Sequence, residues 1–533
     1  MPFPPPPAAV SGDAPDALIE ALRGLLQART GRAVQRIETH ISWVLLDGEH
    51  AWKIKKPVRL GFLDFSALEA RRHYCDEELR LNRRLAPALY RDVVAIRGSV
   101  AAPRLEGPGE PIEYVLRMRQ FAPGALLSER LAAGTLEPSH LDRLAARLAA
   151  FHEGIPAAGP ETPWGTVARI EADTAAALDG LGRFVEPAVL GGLRGRLDDE
   201  ARRLRPLFEQ RKAAGRVREC HGDLHLSNAV VLGDEVTAFD CLEFDPALRW
   251  IDVCSDVAFL AMDLEANGRR DLAFRFLDAW LAEGGDYDGV PVLRYYRAYR
   301  ALVRALVTRI RAAQAGDAGG PDYLALAQRL AHEGDARLLI THGLSGSGKS
   351  WLAQRLLERA GAIRLRSDVE RKRLFALGAL ERAGALPGQG IYAASATQRT
   401  YARLLELAGL VLEAGYPTVV DASFLAAGER EVFRRLAAAR GVPFTILHCR
   451  ADPALLRERV AARSAAGSDA SDADLAVLEA QQAGYAPPGE DEQAFVIEVD
   501  TGRASDPGAL AARWLAAGGP AGGAAVSGSA RRG

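Results

Sequence analysis

The chain has 533 residues, of which 48% are hydrophobic and 26% are charged, and its formal net charge is -2. This length predicts about three or four domain-sized units with the balance of an ordinary globular protein. The near-zero net charge excludes a global basic field for nucleic acid. No run approaches the roughly 18 apolar residues of a membrane span, and the N-terminus has neither the basic start nor the apolar core of a signal peptide. Five scattered cysteines indicate reduced thiols, so we expect a cytoplasmic protein without membrane contact.

The first part of the chain has the pattern of a nucleotide-binding lobe. Residues 1–14 are proline-rich and are predicted to be disordered, and helical periodicity follows over residues 16–27. Short apolar runs predict strands over residues 34–41, 43–46 and 51–54. A hairpin turn is predicted at Asp47-Gly48, between the last two of these strands.

Two lysines lie at the end of this strand pattern, and one of them is expected to bind the α- and β-phosphates of a nucleotide. Lys53 and Lys55 are two residues apart and therefore lie on the same face of the strand. Lys53 comes two residues after an alanine, as in the V-A-I-K pattern, so it is the preferred candidate and Lys55 is the alternative. The helix predicted over residues 67–85 offers Glu78 as the carboxylate partner. Residues 118–121 are predicted to be the hinge whose backbone binds adenine.

The most informative stretch is His-Gly-Asp-Leu-His-Leu-Ser-Asn at residues 221–228. Two short apolar runs separated by Gly-Asp follow it and predict a β-hairpin. The hairpin would place Asn228 and Asp240 at the same end of two paired strands, with Asp223 on the loop that leads in. Phosphoryl transfer needs a carboxylate that orients and deprotonates the acceptor hydroxyl, which suits Asp223. It also needs oxygen ligands for Mg²⁺, which suit Asn228 and Asp240.

The order H-x-D-L-x-x-x-N, followed by a later Asp, matches the catalytic loop and metal-binding Asp of protein-kinase-like enzymes. Gly222 stands where those enzymes have Arg, and Asp240-Cys241-Leu242 stands in place of D-F-G. Together with His225, these departures make the sequence resemble the aminoglycoside phosphotransferase family. The resemblance implies a two-lobed kinase-like domain over residues 15–333. Its N-lobe would cover about residues 15–120 and its C-lobe about residues 121–333.

The segment after this motif is predicted to support it. Asp252 and Asp256 are four residues apart, so a helix would place both on one face. We interpret them as residues that cap the helix and anchor the catalytic loop, in preference to metal ligands. A basic helix is predicted over residues 295–311. Such faces are usually only solvated, and an anionic substrate is the alternative partner.

A second phosphate-binding motif follows a buried strand predicted over residues 338–342. The sequence Gly-Leu-Ser-Gly-Ser-Gly-Lys-Ser at residues 343–350 matches G-x-x-x-x-G-K-S in its required context, between a strand and a helix. Backbone N–H groups at such a helix start hold phosphates, Lys349 would reach the β- and γ-phosphates, and Ser350 would bind Mg²⁺. The predicted nucleotide-binding residues of this loop are Gly343, Ser345, Gly346, Ser347, Gly348, Lys349 and Ser350.

Candidate residues for the rest of this second site come at the ends of the next strands. Asp368 follows the strand at residues 362–365, at the edge of a parallel sheet where ligands bind, and would orient and deprotonate an acceptor. Arg371 would clamp the acceptor or a phosphate, and Asp421 would be a further Mg²⁺ ligand. Arg459 and Arg463 are four residues apart on one helix face and would close over the triphosphate.

This second set resembles the small P-loop kinases, a group that includes gluconate-kinase-like, zeta-toxin-like and polynucleotide 5′-kinase-like proteins. The resemblance covers about residues 336–500 and implies a doubly wound parallel α/β P-loop domain, placed over residues 336–515. The tail from 516 to 533 is predicted to be disordered because of its Gly, Ala and Ser content. The expected fold class is therefore a kinase-like α+β domain followed by an α/β P-loop domain.

The tandem resembles bacterial fusions of a phosphotransferase domain with a P-loop ATP-binding domain, and it implies ATP and Mg²⁺ as cofactors. We expect transfer of the γ-phosphoryl group of MgATP to a hydroxyl of a small molecule, whose identity the sequence leaves open. Two alternatives remain. One is a regulatory protein that only binds nucleotide, and the other is 5′-hydroxyl kinase activity of the P-loop domain on nucleic acid. The near-zero net charge argues against tight nucleic-acid binding, and the oligomeric state stays open.

Overall fold

A computed structural model describes residues 13–60, 63–315, 319–332, 334–379, 381, 389–466 and 470–517. The two segments predicted to be disordered, residues 1–14 and 516–533, lie almost entirely outside these ranges. Where they overlap them, helices are present, since one helix begins at Asp13 and another ends at Ala516. Across the described residues, every helix is too short or too polar to cross a membrane.

The helices and strands are numbered here in chain order. The helices are α1 (Asp13–Thr30), α2 (Leu68–Asn82), α3 (Leu127–Ala132), α4 (Pro138–Gly154), α5 (Val167–Leu181), α6 (Pro187–Ala213), α7 (Pro246–Arg249), α8 (Val253–Ala266), α9 (Arg270–Gly284), α10 (Val290–Ala315), α11 (Tyr323–Leu330), α12 (Lys349–Ala360), α13 (Ser367–Arg373), α14 (Ala394–Glu413), α15 (Ala427–Ala439), α16 (Pro453–Ala466), α17 (Leu475–Ala483) and α18 (Pro507–Ala516). The strands are β1 (Gln35–Glu38), β2 (Ser42–Leu46), β3 (His50–Lys55), β4 (Arg59–Leu60), β5 (Leu63–Asp64), β6 (Tyr90–Ser99), β7 (Ala102–Arg104), β8 (Pro111–Arg119), β9 (Val217–Glu219), β10 (Ala229–Leu232), β11 (Glu235–Ala238), β12 (Trp250–Asp252), β13 (Arg337–His342), β14 (Ile363–Arg366), β15 (Pro417–Asp421), β16 (Phe444–Arg450) and β17 (Val496–Asp500).

The chain divides into two compact units. The first consists of Met1–Asn267 and Val292–Ala331, and the second of Gly268–Pro291 and His332–Gly533. Residues 268–291, which contain α9, therefore belong to the second unit, although they lie inside the range 15–333 predicted for the first domain. The reason is packing, because α9 buries its apolar face against α12 and β14 of the second unit.

An antiparallel sheet of six strands, in the order β1-β2-β3-β8-β6-β7, forms the first part of the first unit. Side chains of β3 alternate between its two faces. Trp52 and Ile54 point into the core that the sheet forms with α1. Helix α2, which packs on β6 and β8, carries the buried Glu78 on the side of Lys53 and Lys55. Strand alternation thus delivers both lysines to one carboxylate.

The rest of the first unit is mostly helical, as the sequence predicts. Its short strands form two antiparallel pairs, β10 with β11 and β9 with β12. The first pair is the predicted hairpin, in which Ala229 lies opposite Ala238. The segment of residues 220–228 connects β9 to β10 and rests on α8, whose residues 253–265 are all buried. A helix that is buried on every face gives this segment a rigid support.

A five-stranded parallel sheet, in the order β14-β15-β13-β16-β17, organises the second unit. Its central strand β13 is buried at every position, as expected for a parallel strand covered on both faces. Because β13 and β15 are parallel neighbours, the loops that follow them open at the same edge of the sheet, where ligands bind in such folds. The doubly wound α/β fold predicted for this part of the chain is confirmed.

Candidate active sites

The first candidate site is built around an ion pair between the two lobes of the first unit. The Lys53 Nζ donates to Glu78 Oε1 at 2.8 Å and to Asp240 Oδ1 at 2.6 Å. The Asp240 side chain is 42% exposed, whereas Glu78 is fully buried. The structure therefore joins the preferred lysine, its predicted carboxylate partner and the predicted metal ligand, with the metal ligand open to solvent.

The alternative lysine, Lys55, occupies a different environment. Its Nζ donates to Glu78 Oε2 at 2.8 Å and to Glu243, and the side chain is 1% exposed. Burial raises the pKa of Glu78, but Lys53 and Lys55 outweigh this effect and lower it to about 2. Lys55 is therefore tied to two buried carboxylates, and Lys53 is the lysine that lies beside the open carboxylate.

Asp240 adopts a backbone conformation that few residues with a Cβ tolerate. Its φ is +62°, in the left-handed region that Asp enters more readily than most residues. The backbone N–H of Asp240 donates to the Tyr90 hydroxyl at 3.0 Å. The His221 ring nitrogen Nε2 lies 2.9 Å from the carbonyl of Phe239, directly before Asp240. These contacts hold the bend that turns the Asp240 carboxylate toward Lys53.

Asp223 and Asn228, the other predicted catalytic-loop residues, contact each other. The Asn228 Nδ2 donates to the Asp223 carbonyl at 2.9 Å and to Asp223 Oδ2 at 3.0 Å. With its nitrogen engaged, the amide oxygen of Asn228 is the atom suited to bind a metal. The N–H of Phe239 donates to the Asn228 carbonyl at 2.9 Å. The hairpin thus brings Asn228 next to the strand end that carries Asp240, as predicted.

The Asp223 carboxylate is kept ionised by the groups around it. Burial opposes its ionisation, but His225, His221 and Arg304 together hold the pKa of Asp223 well below its usual range. His225 Nε2 lies 3.5 Å from Asp223 Oδ2. An ionised carboxylate at this position can accept a hydrogen bond from an acceptor hydroxyl and later take its proton.

Asp256 anchors the catalytic loop, as the sequence predicts. Its carboxylate accepts hydrogen bonds from the N–H groups of His221 at 3.1 Å and Gly222 at 2.9 Å, and it contacts the His152 ring at 3.0 Å. Gly222 has φ +85°, and a Cβ there would lie 2.8 Å from the Leu248 carbonyl. The close approach explains why glycine stands where protein kinases have arginine. The Asp252 side chain caps α8 by accepting a hydrogen bond from the Cys254 N–H, which agrees with its predicted capping role.

A cavity of about 300 Å³ lies at the predicted hinge. Residues 119–125 line it together with Arg130 and the turn of the β10–β11 hairpin at residues 231–233. Its lining overlaps residues 118–121, where the sequence places adenine binding. Adenine recognition at this cavity stays a prediction.

The second candidate site lies at the edge of the parallel sheet, where the 343–350 loop connects β13 to α12. Two glycines of this loop have a positive φ and also lie too close to neighbouring backbone to carry a Cβ. Gly343 has φ +143°, and a Cβ there would lie 2.4 Å from the Cys449 carbonyl. Gly346 has φ +80°, and its Cβ would lie 2.7 Å from the Leu456 carbonyl. The Lys349 Nζ donates to the Leu344 carbonyl at 2.7 Å, so the lysine lies over the loop.

Two oxygen ligands suited to Mg²⁺ meet at the start of α12. The Ser350 hydroxyl donates to Asp421 Oδ1 at 3.1 Å. Asp421 ends β15 and is buried, and its Oδ2 has no hydrogen-bond donor among the described residues. A buried carboxylate oxygen without a donor beside a hydroxyl matches the oxygen ligands that Mg²⁺ prefers.

The remaining predicted residues of the second site are placed as follows. Asp368 lies in the first turn of α13. Its negative charge acts on Lys349: burial lowers the pKa of Lys349, and the charges of Asp421 and Asp368 oppose that shift. Arg371 is buried and donates to the Ile391 carbonyl at 2.9 Å and to Thr397. Asp368 therefore lies near the loop lysine, and Arg371 donates to protein groups.

The two arginines of α16 differ in their contacts. Arg459 donates to the carbonyl of Gly346 at 3.3 Å and to the Thr501 hydroxyl at 2.9 Å, so it reaches the phosphate-binding loop. Arg463 donates to the Ala473 carbonyl at 3.0 Å. The structure brings Arg459 to the loop, and the triphosphate roles of both arginines stay predictions.

Sequence reasoning missed several residues that complete these sites. Glu243 comes three residues after Asp240 and contacts Lys55, which lies 188 residues away in the chain, so no local pattern marks it as a partner of the strand lysines. Gln481 accepts a hydrogen bond from the Ser345 N–H at 2.8 Å, and Thr501 donates to the Ser347 carbonyl at 2.9 Å. Both lie more than 130 residues from their partners in the chain, and no local pattern marks them.

Comparison with known proteins gives matches for both units. Residues 25–302 match the family model described as "Phosphotransferase enzyme family", and residues 338–488 match the one described as "AAA domain". A Mycobacterium tuberculosis (strain H37Rv) protein designated "Uncharacterized protein Rv2004c" is 31% identical over 455 residues. That alignment covers 84% of this chain and 90% of the relative.

Solved structures give more distant likenesses. A choline/ethanolamine kinase family protein from Mesorhizobium loti is 16% identical, with 59% of this chain and 92% of that chain covered and a TM-score of 0.36. A gluconokinase from Sinorhizobium meliloti is 19% identical, with 34% of this chain and 89% of that chain covered and a TM-score of 0.24. At these scores the family match and the mycobacterial relative carry the assignment.

Proposed function

Since the chain belongs to the phosphotransferase enzyme family, we propose that its first unit transfers the γ-phosphoryl group of MgATP to a hydroxyl group of a small molecule. The observation that supports this most is the Lys53–Glu78–Asp240 ion-pair chain beside the Asp223–Asn228 pair. These are the groups that phosphoryl transfer needs, namely a phosphate-binding cation, metal ligands and an ionised carboxylate.

Each group has a distinct role in the proposed reaction. Asn228 and Asp240 would hold Mg²⁺, which neutralises charge on the phosphates when it is bound. Lys53 would bind the α- and β-phosphates, with Glu78 fixing its ammonium. Asp223 orients the acceptor hydroxyl and takes its proton as the hydroxyl oxygen bonds to the γ-phosphorus and the bond to the ADP oxygen breaks.

We propose a second nucleotide site in the second unit. The N–H groups of the 343–350 loop and Lys349 would bind the phosphates, and the Ser350–Asp421 pair would hold Mg²⁺. Asp368, which begins the helix after β14, would orient an acceptor. Its acceptor is left open among a sugar-like hydroxyl, a nucleotide-sugar and a 5′-hydroxyl end of nucleic acid. The pairing of Ser350 with a buried carboxylate supports nucleotide binding at this loop most directly.

The test is transfer of labelled γ-phosphoryl from ATP into a bacterial small-molecule extract, with products identified by mass. Wild type is compared with Asp223→Asn and Asp368→Asn. A product that disappears only with Asp223→Asn assigns the reaction and the acceptor to the first unit. Loss only with Asp368→Asn assigns it to the second. A protein that binds ATP but labels no product, or labels only oligonucleotide ends, would contradict the small-molecule proposal.

A further inference from the structure

A buried arginine of the second unit connects helix α9 to the metal-binding end of the 343–350 loop. Arg364 lies in β14, and its Nε and one terminal nitrogen donate to the two carboxylate oxygens of Asp278 on α9, at 3.3 and 2.7 Å. Both side chains are buried, at 7% and 6% exposure. A buried guanidinium needs such a partner, because an unpaired charge is costly away from water.

The other side of the same guanidinium faces the predicted Mg²⁺ ligands. Its second terminal nitrogen donates to the Ser350 carbonyl at 3.3 Å and lies 3.9 Å from Asp421 Oδ2. Arg366 approaches the same oxygen at 3.8 Å. The Arg364 guanidinium therefore lies between the Asp278 carboxylate and the Asp421 carboxylate, and only the contact with Asp278 is a close bidentate pair.

We propose that Asp278 is a positioning residue for the second nucleotide site, because it holds Arg364 in place and so leaves Asp421 to Ser350 and to a divalent cation. Without the Asp278 carboxylate, Asp421 is the nearest anion that can pair with Arg364. Asp421 would then turn from Ser350 toward the arginine, and metal binding would weaken. This inference rests on the proposed nucleotide site of the second unit.

Asp278 lies outside the part of the chain that matches the P-loop domain model. Residue 278 lies inside the stretch of residues 25–302 that matches the phosphotransferase family, yet it belongs to the second unit. The P-loop domain predicted from the sequence, residues 336–515, does not include Asp278. A part of the phosphotransferase stretch thus supplies an outer residue of the P-loop site.

Helix α9 is fixed to the second unit by contacts that do not involve Asp278. Arg373 donates to the Ala282 carbonyl of α9 at 2.6 Å. Trp280 is 2% exposed. Removing one carboxylate from α9 therefore leaves the helix in place. Arg275→Gln provides a matched control, because it breaks the 2.7 Å ion pair of the same helix with Glu358, and neither residue of that pair contacts Ser350 or Asp421.

The experiment measures ATP binding to the full-length protein as Mg²⁺ is titrated, in an Asp240→Ala background that removes a metal ligand of the first site. Asp278→Asn is expected to raise the Mg²⁺ concentration for half-maximal binding about tenfold, as losses of outer partners of metal ligands do. ATP binding without Mg²⁺ should change less than about twofold, since the phosphate-binding loop itself is untouched. Arg275→Gln should match its parent in both measurements.

A double variant separates positioning from a merely structural effect. Asp278→Asn with Arg364→Gln removes the unpaired cation as well, so Mg²⁺ dependence should return toward that of the parent. The inference is overturned if the double variant needs as much Mg²⁺ for ATP binding as Asp278→Asn does. It is also overturned if Asp278→Asn and Arg275→Gln need the same Mg²⁺ concentration. Neither result would contradict the second nucleotide site itself. If Lys349→Ala leaves ATP binding unchanged in this background, the second nucleotide site is contradicted and the inference falls with it.

Discussion

Lys53 and Asp240 form an ion pair of 2.6 Å although 187 residues separate them in the chain. In the proposed reaction, the lysine binds phosphates and the carboxylate binds Mg²⁺. The two charges neutralise each other, and Glu78 holds the lysine from the opposite side at 2.8 Å. Binding of MgATP would replace this ion pair with a contact of Lys53 with the phosphates and a contact of Asp240 with Mg²⁺. The Lys53–Glu78 contact would stay in place.

The two strand lysines should differ in what their loss costs. Lys55→Met leaves Glu78 and Glu243 short of a buried partner, so we expect a loss of about 3 kcal/mol in the free energy of unfolding. Lys53→Met should lower the free energy of unfolding less, because Asp240, one of the two partners of Lys53, is exposed to solvent. It should weaken ATP binding more than Lys55→Met does. Urea unfolding and ATP titration of both variants test this. A larger stability loss in Lys53→Met than in Lys55→Met would contradict the assignment.

Gly222 should not tolerate a methyl group. Gly222→Ala places a Cβ 2.8 Å from the Leu248 carbonyl in a left-handed residue, so the loop must shift and kcat should fall by at least about tenfold. Gly134→Ala is the matched control, because Gly134 has φ +69°, nothing lies within 4 Å of its Cβ, and it does not line the predicted adenine cavity. Turnover of the two variants with saturating ATP distinguishes the contact from the backbone strain. Equal turnover in both would contradict a steric role for Gly222.

Asp256 should make stability depend on pH. Burial raises the pKa of Asp256, but the His152 hydrogen bond and charge outweigh this and lower it to about 2. A lowered pKa contributes stability at pH values above the unfolded pKa of about 3.9, and this contribution disappears as pH falls toward 2. The stability difference between wild type and Asp256→Asn should therefore be full at pH 7 and shrink below about pH 4. Urea unfolding at pH 7, 5 and 3 measures it, and a constant difference would contradict the account.

Arg304 should affect the acid side of the pH–rate profile. After the larger effects of His225 and His221, its charge also helps to hold the pKa of Asp223 below the usual range. Removing the charge in Arg304→Met raises the pKa of Asp223, so the acid limb of kcat/KM should move to higher pH. Arg309→Met, an exposed position of the same helix, is the control. An unchanged acid limb in Arg304→Met would show that Arg304 does not act on Asp223.

The catalytic-loop geometry and the P-loop could be predicted from sequence because short spacings define them. The contact of Asn228 with Asp223, and the strand end that carries Asp240, follow from one loop and one hairpin. The family matches confirm the resemblance to phosphotransferases and to P-loop kinases that these residues indicated.

Other features depend on contacts that no local pattern encodes. Strand alternation places Lys53 and Lys55 on one face and cannot distinguish them; the distinction comes from Glu243, 188 residues away from Lys55. Likewise, the amphipathic pattern of α9 predicts a buried face but not what covers it. The sequence therefore leaves residues 268–291 in the first domain, and only packing assigns them to the second unit.

The most direct test of two nucleotide sites is the number of MgATP molecules bound per chain, measured by isothermal titration. The account predicts two equivalents for wild type. Asp240→Ala and Lys349→Ala should each retain one, and the double variant should retain none. A single equivalent in wild type that only one of these substitutions abolishes would contradict the claim that both units bind nucleotide.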